Sequence, residues 1–421
     1  MKKHFRQMLS LLLCVVMAIP FSLLAVAADA TADSPYGAFT EDDFLITKGT
    51  KIVNRKGEEI VLKGVNIGSW MIWEDWLSPY EQATDHYNAF EVLTERFGVE
   101  KTYDLMDTYM DNWFTEYDID QIAKMGFNCV RVPFWYRNFY YDDIGTKILD
   151  ENGEWDFSRL EWVVSECAER GLYVILDMHG APGFQSDAPH NGKGGSCGLY
   201  EQTEEGEFYR GLTVELWTAI AERFKGHPAV AMYDLLNEPM CDVPTNEIDR
   251  RVKNEFIYTI LYDAVRAADP DHIITMECIW TGFALPQTWL KGWTNVVYQV
   301  HFYNNSDFIF ALFLLLQKIL HPNVPMLMGE FYPHQKTTWE GCFRSMKLFN
   351  YSWMLWTYKA AGHMMWESDW CLYGSRDGFE RAKLETDSYE EIARKLGSCM
   401  RTENGYVDTG HYERDVAAWI G

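Results

Sequence analysis

The sequence predicts an α/β fold, a (β/α)₈ (TIM) barrel that forms one domain and follows a short N-terminal hairpin. Short apolar, β-branched runs alternate with longer amphipathic stretches of helical spacing, which is typical of a parallel sheet covered by helices. Eight such runs occur, which is the number of strands in this barrel. They lie at residues 61–67, 127–133, 172–178, 230–237, 272–277, 295–301, 325–330 and 352–356.

The first 27 residues resemble a secretory signal peptide. Three cations precede an apolar run at residues 9–24, and small residues follow it at 25–27. We expect residues 1–27 to be cleaved and the protein to be secreted. An uncleaved membrane anchor is the alternative, because an apolar run of this length could almost span a bilayer.

The segments before the first barrel strand have different characters. Residues 28–43 are polar and predict a loose lead-in. Residues 44–61 alternate in polarity around Gly57 and predict a hairpin that closes the bottom of the barrel. The barrel domain is therefore expected to span residues 44–421, and neither a linker nor a repeat divides it.

The net charge and the cysteine pattern limit which partners and which metal sites can be expected. The formal net charge is −25, and it becomes −28 when the three cations of the signal are removed. Nucleic acids and anionic membranes are poor partners for such a surface, and no obligate protein partner is expected. Cys129 lies inside a strand-like run and is expected to be a buried thiol. No CxxC or HExxH pattern occurs, so no metal site is expected.

Polar side chains concentrate at the carboxyl ends of the predicted strands. In a barrel these ends meet at one face, where the active sites of such barrels form. Any one of these residues alone could be an ordinary ion pair or core residue, but together they predict a site formed by Arg131, Asp177, His179, Asn237, Glu238, His301, Tyr303, Glu330 and Trp356.

Two of these residues, Glu238 and Glu330, follow the fourth and seventh strands and are expected to face each other across the barrel mouth. Cleavage of a glycosidic bond needs such a pair, one carboxyl to protonate the leaving oxygen and one to attack carbon or activate water. We expect Arg131 and Tyr303 to keep Glu330 ionised, and a more apolar setting to keep Glu238 protonated. Asn237 is placed to bind the 2-hydroxyl of the sugar.

Aromatic residues near the predicted strand ends are candidates for stacking on sugar rings. We favour Trp70 and Trp356 for this role. The wider set, in which core packing is the alternative for each member, is Trp70, Trp73, Trp135, Tyr136, Trp280, Trp356 and Trp366.

An ordered set of motifs resembles glycoside hydrolase family 5, also called cellulase family A. The resemblance implies that Glu238 is the acid/base and Glu330 the nucleophile of a retaining β-glycosidase that needs no cofactor. It also implies supporting roles for Arg131, His179, Asn237, His301, Tyr303 and Trp356. The motifs are GVNIGSW (64–70), CVRVP (129–133), DMHGAPG (177–183), LLNEP (235–239), HFY (301–303), GEF (329–331) and LWTYK (355–359).

Within the family, residues 64–79 and 179–192 most resemble the exo-β-1,3-glucanase branch. That match implies a β-glucan or oligosaccharide substrate, with Glu74 binding the terminal glucose and Lys359 lying in a lid after the eighth strand. Phe184 and Ser186 depart from the branch pattern. An endo-β-1,4-glucanase and a non-catalytic carbohydrate-binding barrel therefore remain alternatives.

Two further segments suggest other roles. Residues 194–198 (GGSCG) match the nucleophile elbow of serine hydrolases, but no predicted strand precedes them, as that elbow requires. Residues 308–320 (FIFALFLLLQKIL) predict a buried helix. Their nearly all-round apolarity is unusual for a barrel helix, so a partner-binding or lipid-facing role is the alternative.

Overall fold

The eight apolar runs each form a strand of one closed parallel barrel, as predicted. The computed structural model describes residues 34–421 except 279–281, 304–305, 334–335 and 362–370. Its strands are β1 (Leu45–Lys48), β2 (Lys51–Asn54), β3 (Lys63–Asn66), β4 (Tyr80–Glu81), β5 (Cys129–Trp135), β6 (Tyr173–Gly180), β7 (Val230–Asp234), β8 (Ile273–Glu277), β9 (Val296–His301), β10 (Met326–Glu330), β11 (Tyr351–Leu355), β12 (Lys359–Ala360), β13 (Tyr373–Ser375), β14 (Ala382–Lys383) and β15 (Tyr406–Asp408).

Helices follow the barrel strands and cover the barrel. They are α1 (His86–Phe97), α2 (Val99–Trp113), α3 (Glu116–Lys124), α4 (Ser158–Glu169), α5 (Glu204–Phe224), α6 (Glu247–Ala268), α7 (Thr288–Lys291), α8 (Asp307–Leu320), α9 (Lys336–Phe349), α10 (Tyr389–Leu396) and α11 (Thr402–Gly405).

The barrel strands pair in the order β3-β5-β6-β7-β8-β9-β10-β11, and β11 pairs with β3 to close the ring. Every residue of β5 and β6 is buried. A parallel strand of a barrel is covered on both faces, so its apolar pattern is continuous rather than alternating. This explains why the strands could be recognised as unbroken apolar runs.

The predicted turn at Gly57 is present, and a second antiparallel turn at Gly49 precedes it. Strands β1 and β2 are antiparallel, and the chain reverses at Gly49 with φ of 61°. At Gly57, with φ of 84°, the chain reverses again, and Glu59 pairs antiparallel with Val53 of β2. Both turns need the left-handed backbone that glycine adopts without a Cβ clash, and only the turn at Gly57 was predicted.

The hairpin covers the end of the barrel at which the strands begin. Leu45 and Ile52 belong to the same buried cluster as Cys129, Ala229 and Ile273, which lie at or next to the first residues of barrel strands. This packing leaves the opposite end, where the strands finish, open to ligands.

The part of the lead-in that the structure describes is not loose. The backbone N–H of Ala38 donates to the carbonyl of Ala168 at 2.9 Å, and Phe39 is buried against Tyr173. Residues 35–421 form one compact unit. The prediction of a loose lead-in failed for these residues, because a single apolar residue such as Phe39 within a polar segment does not stand out in the sequence.

Helix α8 forms at the predicted place, but its predicted burial is wrong for one of its faces. Phe310, Phe313 and Leu314 are buried, whereas the outward residues are exposed: Phe308, Ile309, Leu312, Leu315, Leu316 and Ile319. The helix lies on the outside of the barrel, so composition alone could not bury its outer face. Of the helices the structure describes, none is both long and apolar enough to cross a membrane.

The expected buried thiol is confirmed at Cys129, which lies on a barrel strand, and Cys167 and Cys241 are also buried free thiols. Burial raises the pKa of Cys129 well above its ordinary value, since a thiolate would lose its hydration there.

Candidate active site

Most of the predicted strand-end residues line one cavity of about 370 Å³ at the open end of the barrel: His179, Asn237, Glu238, Tyr303, Glu330 and Trp356. Arg131, Asp177 and His301 contact these residues from beside the cavity. The closure of the ring brings the carboxyl ends of several strands together. The cavity is lined by Glu74, Trp76, His179, Ala188, Pro189, His190, Asn237, Glu238, Cys241, Asp242, Tyr303, Glu330 and Trp356.

The two glutamates lie close to each other. Glu238 and Glu330 each present a carboxylate oxygen to His301, and these three ligand atoms lie within 4.8 Å of one another. Carboxyl groups roughly 5–5.5 Å apart suit a covalent intermediate, while roughly 6.5–9.5 Å leaves room for a water molecule between catalyst and sugar. The short separation favours direct attack by one carboxylate.

Glu330 is held by two donors, as predicted. Arg131 Nη1 donates to Oε1 at 2.9 Å, and the Tyr303 hydroxyl donates to Oε2 at 2.7 Å. Burial raises the pKa of Glu330 well above its ordinary value, and the negative charge of Glu238 adds to this, while Arg131 and Tyr303 oppose it. The two donors fix the orientation of the carboxyl group, and they oppose but do not cancel the effect of burial on its pKa.

Arg131 joins the centre of the site to the barrel wall. Its fully buried guanidinium donates to Asp234 at 2.8 Å and to Asn237 Oδ1 at 2.9 Å, and it lies 3.1 Å from Asp177. The planar guanidinium can donate hydrogen bonds to several acceptors at once, whereas the ammonium group of a lysine could not do so with the same geometry. Without these partners the buried cation would be strongly destabilising.

The setting of Glu238 differs from the expected apolar one. His301 Nδ1 lies 2.8 Å from Oε1, and His190 Nε2 lies 3.1 Å from Oε2. Burial alone would raise the pKa of Glu238, but His190, His301 and His179 together lower it to about 2. The pKa of Glu238 is thus lowered while that of Glu330 is raised, the reverse of the expected order, because imidazoles and not apolar side chains face Glu238.

The loop after β7 aims Glu238 at the cavity. Its φ is 40°, and its backbone N–H donates to Glu277 Oε1 at 3.0 Å. A positive φ is uncommon for a residue with a side chain and is found where the surroundings enforce it. The buried carboxylate of Glu277 supplies part of that enforcement.

His179 and Asn237 form a fixed pair beside the glutamates. Asp177 accepts from His179 Nδ1 at 2.7 Å, which leaves Nε2 to accept from Asn237 Nδ2 at 3.2 Å. Burial lowers the pKa of His179 well below its ordinary value, so the ring stays neutral and can accept in this way. Trp356 stacks on His179 with ring centres 5.5 Å apart.

Glu74 lines the cavity as the family resemblance implied. Its Oε2 accepts from Trp76 Nε1 at 2.8 Å, while Oε1 is buried and has no hydrogen-bond partner among the described residues. Burial raises the pKa of Glu74 to about 8. A buried polar atom that faces a cavity without a partner is suited to a ligand hydroxyl.

Trp70 and Lys359 do not line the cavity, which corrects their prediction as substrate-binding residues. Trp70 is fully buried, and its Nε1 donates to the carbonyl of Met110 at 2.9 Å. Lys359 is buried between the rings of Trp113 and Tyr406, and its Nζ donates to the carbonyl of Met400 at 2.9 Å. Trp70 lies in the loop after β3 and Lys359 in β12, which belongs to a small sheet outside the barrel. The direction of such side chains depends on packing that a strand prediction does not fix.

The other aromatic candidates have different positions. Trp73 stacks on His86, and Trp135 packs against the same imidazole, so both are core residues. Tyr136 is buried and donates to Asp143 at 2.5 Å. Trp356 lines the cavity as predicted, whereas Trp280 and Trp366 lie outside the described residues.

Several cavity residues were missed by the sequence analysis. His190, on the turn Pro189–Asn191, contacts Glu238 directly. It lies in the same loop as the motif at 177–183, so its imidazole was a visible signal, but loop residues have no periodicity from which to predict their direction. Trp76 and Cys241 were missed for the same reason.

The possible serine nucleophile is not at an elbow. Ser196 pairs with Ser186 in an isolated antiparallel bridge. It lies in a loop between two short turns of 3-10 helix, Pro189–Asn191 and Gly198–Tyr200. The strand-to-helix turn that exposes such a nucleophile is therefore not formed here.

Comparison with known proteins places this geometry in a family. The family model for cellulases, glycosyl hydrolase family 5, matches residues 83–362. The chain belongs to glycosyl hydrolase family 5. This confirms the predicted family and, with it, the predicted class of enzyme, a glycoside hydrolase. The matched region carries both glutamates of the cavity and most of the residues around them.

The curated relatives of this family 5 chain carry different names. A β-xylosidase of Phanerodontia chrysosporium is 30% identical over 267 residues, which are 63% of this chain and 53% of the relative. A probable glucan 1,3-β-glucosidase A of Aspergillus fumigatus is 28% identical over 255 residues, 59% of this chain and 56% of the relative. The chain thus spans about half the length of these relatives.

Solved structures show the same fold at low identity. The rutinosidase of Aspergillus niger superposes with a TM-score of 0.58 at 16% identity, over 74% of this chain and 95% of that one. An endogalactoceramidase superposes with a TM-score of 0.57 at 17% identity, over 84% of each chain. These likenesses confirm the predicted barrel architecture.

Proposed function

We propose that this family 5 chain is a retaining β-glycosidase that removes terminal β-glucosyl units from a glucan or oligosaccharide. The observation that carries the proposal is the close pair Glu238 and Glu330, whose carboxylate oxygens lie within 4.8 Å of each other and of His301. A spacing this short suits the double displacement of a retaining enzyme.

In the first step Glu330 attacks the anomeric carbon while Glu238 protonates the departing oxygen. In the second step Glu238 removes a proton from water, and that water releases the sugar from Glu330 with the starting configuration restored. Asn237 is held by Arg131 and His179 and can donate to the 2-hydroxyl beside the reacting carbon. The steps use protein side chains and water alone.

Glu238 must carry the proton in the first step, although its pKa is lowered and that of Glu330 is raised. A bound glycoside changes this balance in two ways. The positive charge that develops at the anomeric carbon stabilises ionised Glu330, and the leaving oxygen accepts a hydrogen bond from protonated Glu238. His301 Nδ1 lies 2.8 Å from Glu238 and 3.5 Å from Glu330, so it is placed to pass the proton between them.

The preference for a terminal glucose rests on Glu74 and on the size of the cavity. Glu74 offers a buried oxygen that lacks a partner, and the curated relatives include enzymes named glucan 1,3-β-glucosidase. The volume of about 370 Å³ lies at the lower end of the ~300–1,000 Å³ range of ligand sites. An endo-β-1,4-glucanase would need a longer open cleft, and a binding module would not need the close carboxyl pair.

The mechanism is tested by trapping the intermediate. A 2-deoxy-2-fluoro β-glucoside should label Glu330, as read from the mass of the modified peptide, and proton NMR should show retention of the anomer first released. Glu238→Gln serves as the control, because it should slow both steps without moving the label. A label on another residue, or an inverted first product, would refute the mechanism.

The substrate is tested by analysing products from laminarin, barley β-glucan, carboxymethyl cellulose and aryl β-glucosides. Release of glucose alone from laminarin supports the proposal. Mixed oligosaccharides from carboxymethyl cellulose would favour the endo-glucanase instead. We also propose that the enzyme acts outside the cell, as the signal-like residues 1–27 suggest, and sequencing the N-terminus of protein from the culture medium tests this.

A further inference from the structure

A cluster of three different metal-binding groups lies on one wall of the cavity. The Nε2 of His190, a carboxylate oxygen of Glu238 and the Sγ of Cys241 all lie within 4.8 Å of one another. His190 belongs to the loop after β6, and Glu238 and Cys241 belong to the loop after β7. We call these three side chains the His-Glu-Cys cluster.

The donor set of the cluster is the one that zinc prefers. Imidazole, thiolate and carboxylate are its usual protein ligands, and three of them leave a fourth position for water or substrate. A second group, Glu238, His301 and Glu330, has similar spacing. It lacks sulfur, and Arg131 lies 2.9 Å from Glu330 and would repel a cation there, so the His-Glu-Cys cluster is the better site.

We propose that the His-Glu-Cys cluster binds a zinc-like divalent cation, and that the bound ion reversibly inhibits the enzyme. The inhibition rests on the proposed function, because the ion would hold the carboxylate of Glu238 and stop it from carrying a proton. Coordination removes the proton of the Cys241 thiol. Binding therefore releases a proton to solvent and weakens as the pH falls.

Cobalt is the probe for the site itself, because a cobalt–thiolate bond absorbs in the near ultraviolet. Titration of the purified chain with Co²⁺ should give this absorption at one ion per chain, and Cys241→Ser should abolish it. Cys399→Ser removes a more accessible thiol far from the cavity and should leave it unchanged. No such absorption in the unaltered chain, or the same absorption in Cys241→Ser, would overturn the proposal.

Inhibition is measured separately with Zn²⁺ and an aryl β-glucoside. The zinc concentration for half inhibition should rise by at least about 100-fold in Cys241→Ser relative to that variant's own activity, and Cys399→Ser should match the unaltered chain. If the chain binds cobalt through Cys241 but hydrolyses no glycoside, the metal site stands and the proposed function fails. If zinc inhibits Cys241→Ser equally, the inhibitory site is elsewhere and the proposal fails.

A second inference concerns the outer face of α8. Between β8 and β9 the described chain supplies a single helical turn, α7, so a full covering helix is missing from this side of the barrel. Next to this gap lie exposed apolar side chains, which we call the α8 apolar face: Phe283, Trp289, Leu290, Phe308, Ile309, Leu312, Leu315, Leu316 and Ile319. The Nε2 of His321, just after α8, contacts the carbonyl of Gly282 at 3.0 Å. This contact links the end of α8 to the segment between β8 and β9.

The spacing on α8 suits another helix. Ile309, Leu312, Leu316 and Ile319 follow one another at intervals of three, four and three residues, the spacing of a helix-pairing seam. The exposed fractions of the face run from 40% at Leu315 to 73% at Phe308. Nine large apolar side chains exposed to this degree present an area of the order of the ~800 Å² that each partner contributes to a standard interface.

We infer that the α8 apolar face pairs two copies of this chain, with α8 of one copy filling the helix gap of the other about a twofold axis. A symmetric pair needs only this one self-complementary face. An anionic membrane is disfavoured, because the chain carries a net charge of −25.

Light scattering of the purified chain over a range of concentrations tests this. We expect a dimer at micromolar concentration, and a monomer after the double change Leu312→Glu and Leu316→Glu. Ile248→Glu, at an exposed position on α6 (79%), is the control and should remain a dimer. A monomeric unaltered chain would overturn the inference, and co-sedimentation of that monomer with phosphatidylcholine vesicles would assign the face to lipid.

Discussion

Replacing Glu74 by glutamine should flatten the dependence of stability on pH. Burial raises the pKa of this carboxyl to about 8 from an ordinary value of 4.5. The folded protein therefore retains a proton that the unfolded chain loses within this window, and the free energy of unfolding falls as the pH rises from about 4.5 to 8. At ~1.36 kcal/mol for each pKa unit, the difference amounts to ~5 kcal/mol.

Glutamine has the shape of the protonated carboxyl and does not titrate. Its amide oxygen can still accept from Trp76 Nε1, as Glu74 Oε2 does at 2.8 Å. Near pH 5 the variant should be as stable as the unaltered chain, and near pH 8 it should be more stable by roughly 3–5 kcal/mol.

Urea titrations at about pH 5 and about pH 8 measure this difference, with Glu95→Gln on the exposed side of α1 as the control. An equal fall in stability for Glu74→Gln and the unaltered chain would refute the assigned burial and pKa. Since the buried, partnerless oxygen is proposed to bind the sugar, the stabilised variant should also show a KM for aryl β-glucosides about 10- to 100-fold higher.

Three further changes test the site. Arg131→Lys keeps the charge but loses the planar fork, so kcat should fall by at least about 100-fold and the free energy of unfolding by ~3 kcal/mol, as kinetics and urea titration would show. His190→Ala removes a group that lowers the pKa of Glu238, so the acid limb of the pH profile of kcat/KM should move to higher pH. If that limb did not move, the contact between His190 and Glu238 would be contradicted. Trp356→Ala should raise KM, whereas Trp70→Phe should lower only the melting temperature. If Trp70→Phe also raised KM, Trp70 would have to be counted as a substrate-binding residue again.

Much of the fold could be predicted from the sequence because its signals are local. A strand buried on both faces is apolar throughout, so β5 and β6 are visible as unbroken runs. The turn at Gly57 was predicted, whereas the turn at Gly49 was not, although both glycines form turns. The outer face of α8 was wrongly predicted to be buried because composition does not show which face of a helix points away from the barrel.

The pair of glutamates in the cavity was predictable for a similar reason. Glu238 and Glu330 follow apolar strands directly, and the barrel fixes where such residues go. Their partners on loops were less visible. His190 reaches Glu238 from a turn whose path depends on the whole barrel mouth, and the order of the two pKa values changed with it.

The sequence by itself therefore determined the architecture, the family and which two carboxylates face the cavity, because periodicity and strand ends are properties of neighbouring residues. Only the tertiary structure decided that Trp70 and Lys359 pack away from the cavity and that imidazoles surround Glu238. The direction of a side chain and the charge around it depend on groups that are distant in sequence, and packing alone brings those groups together.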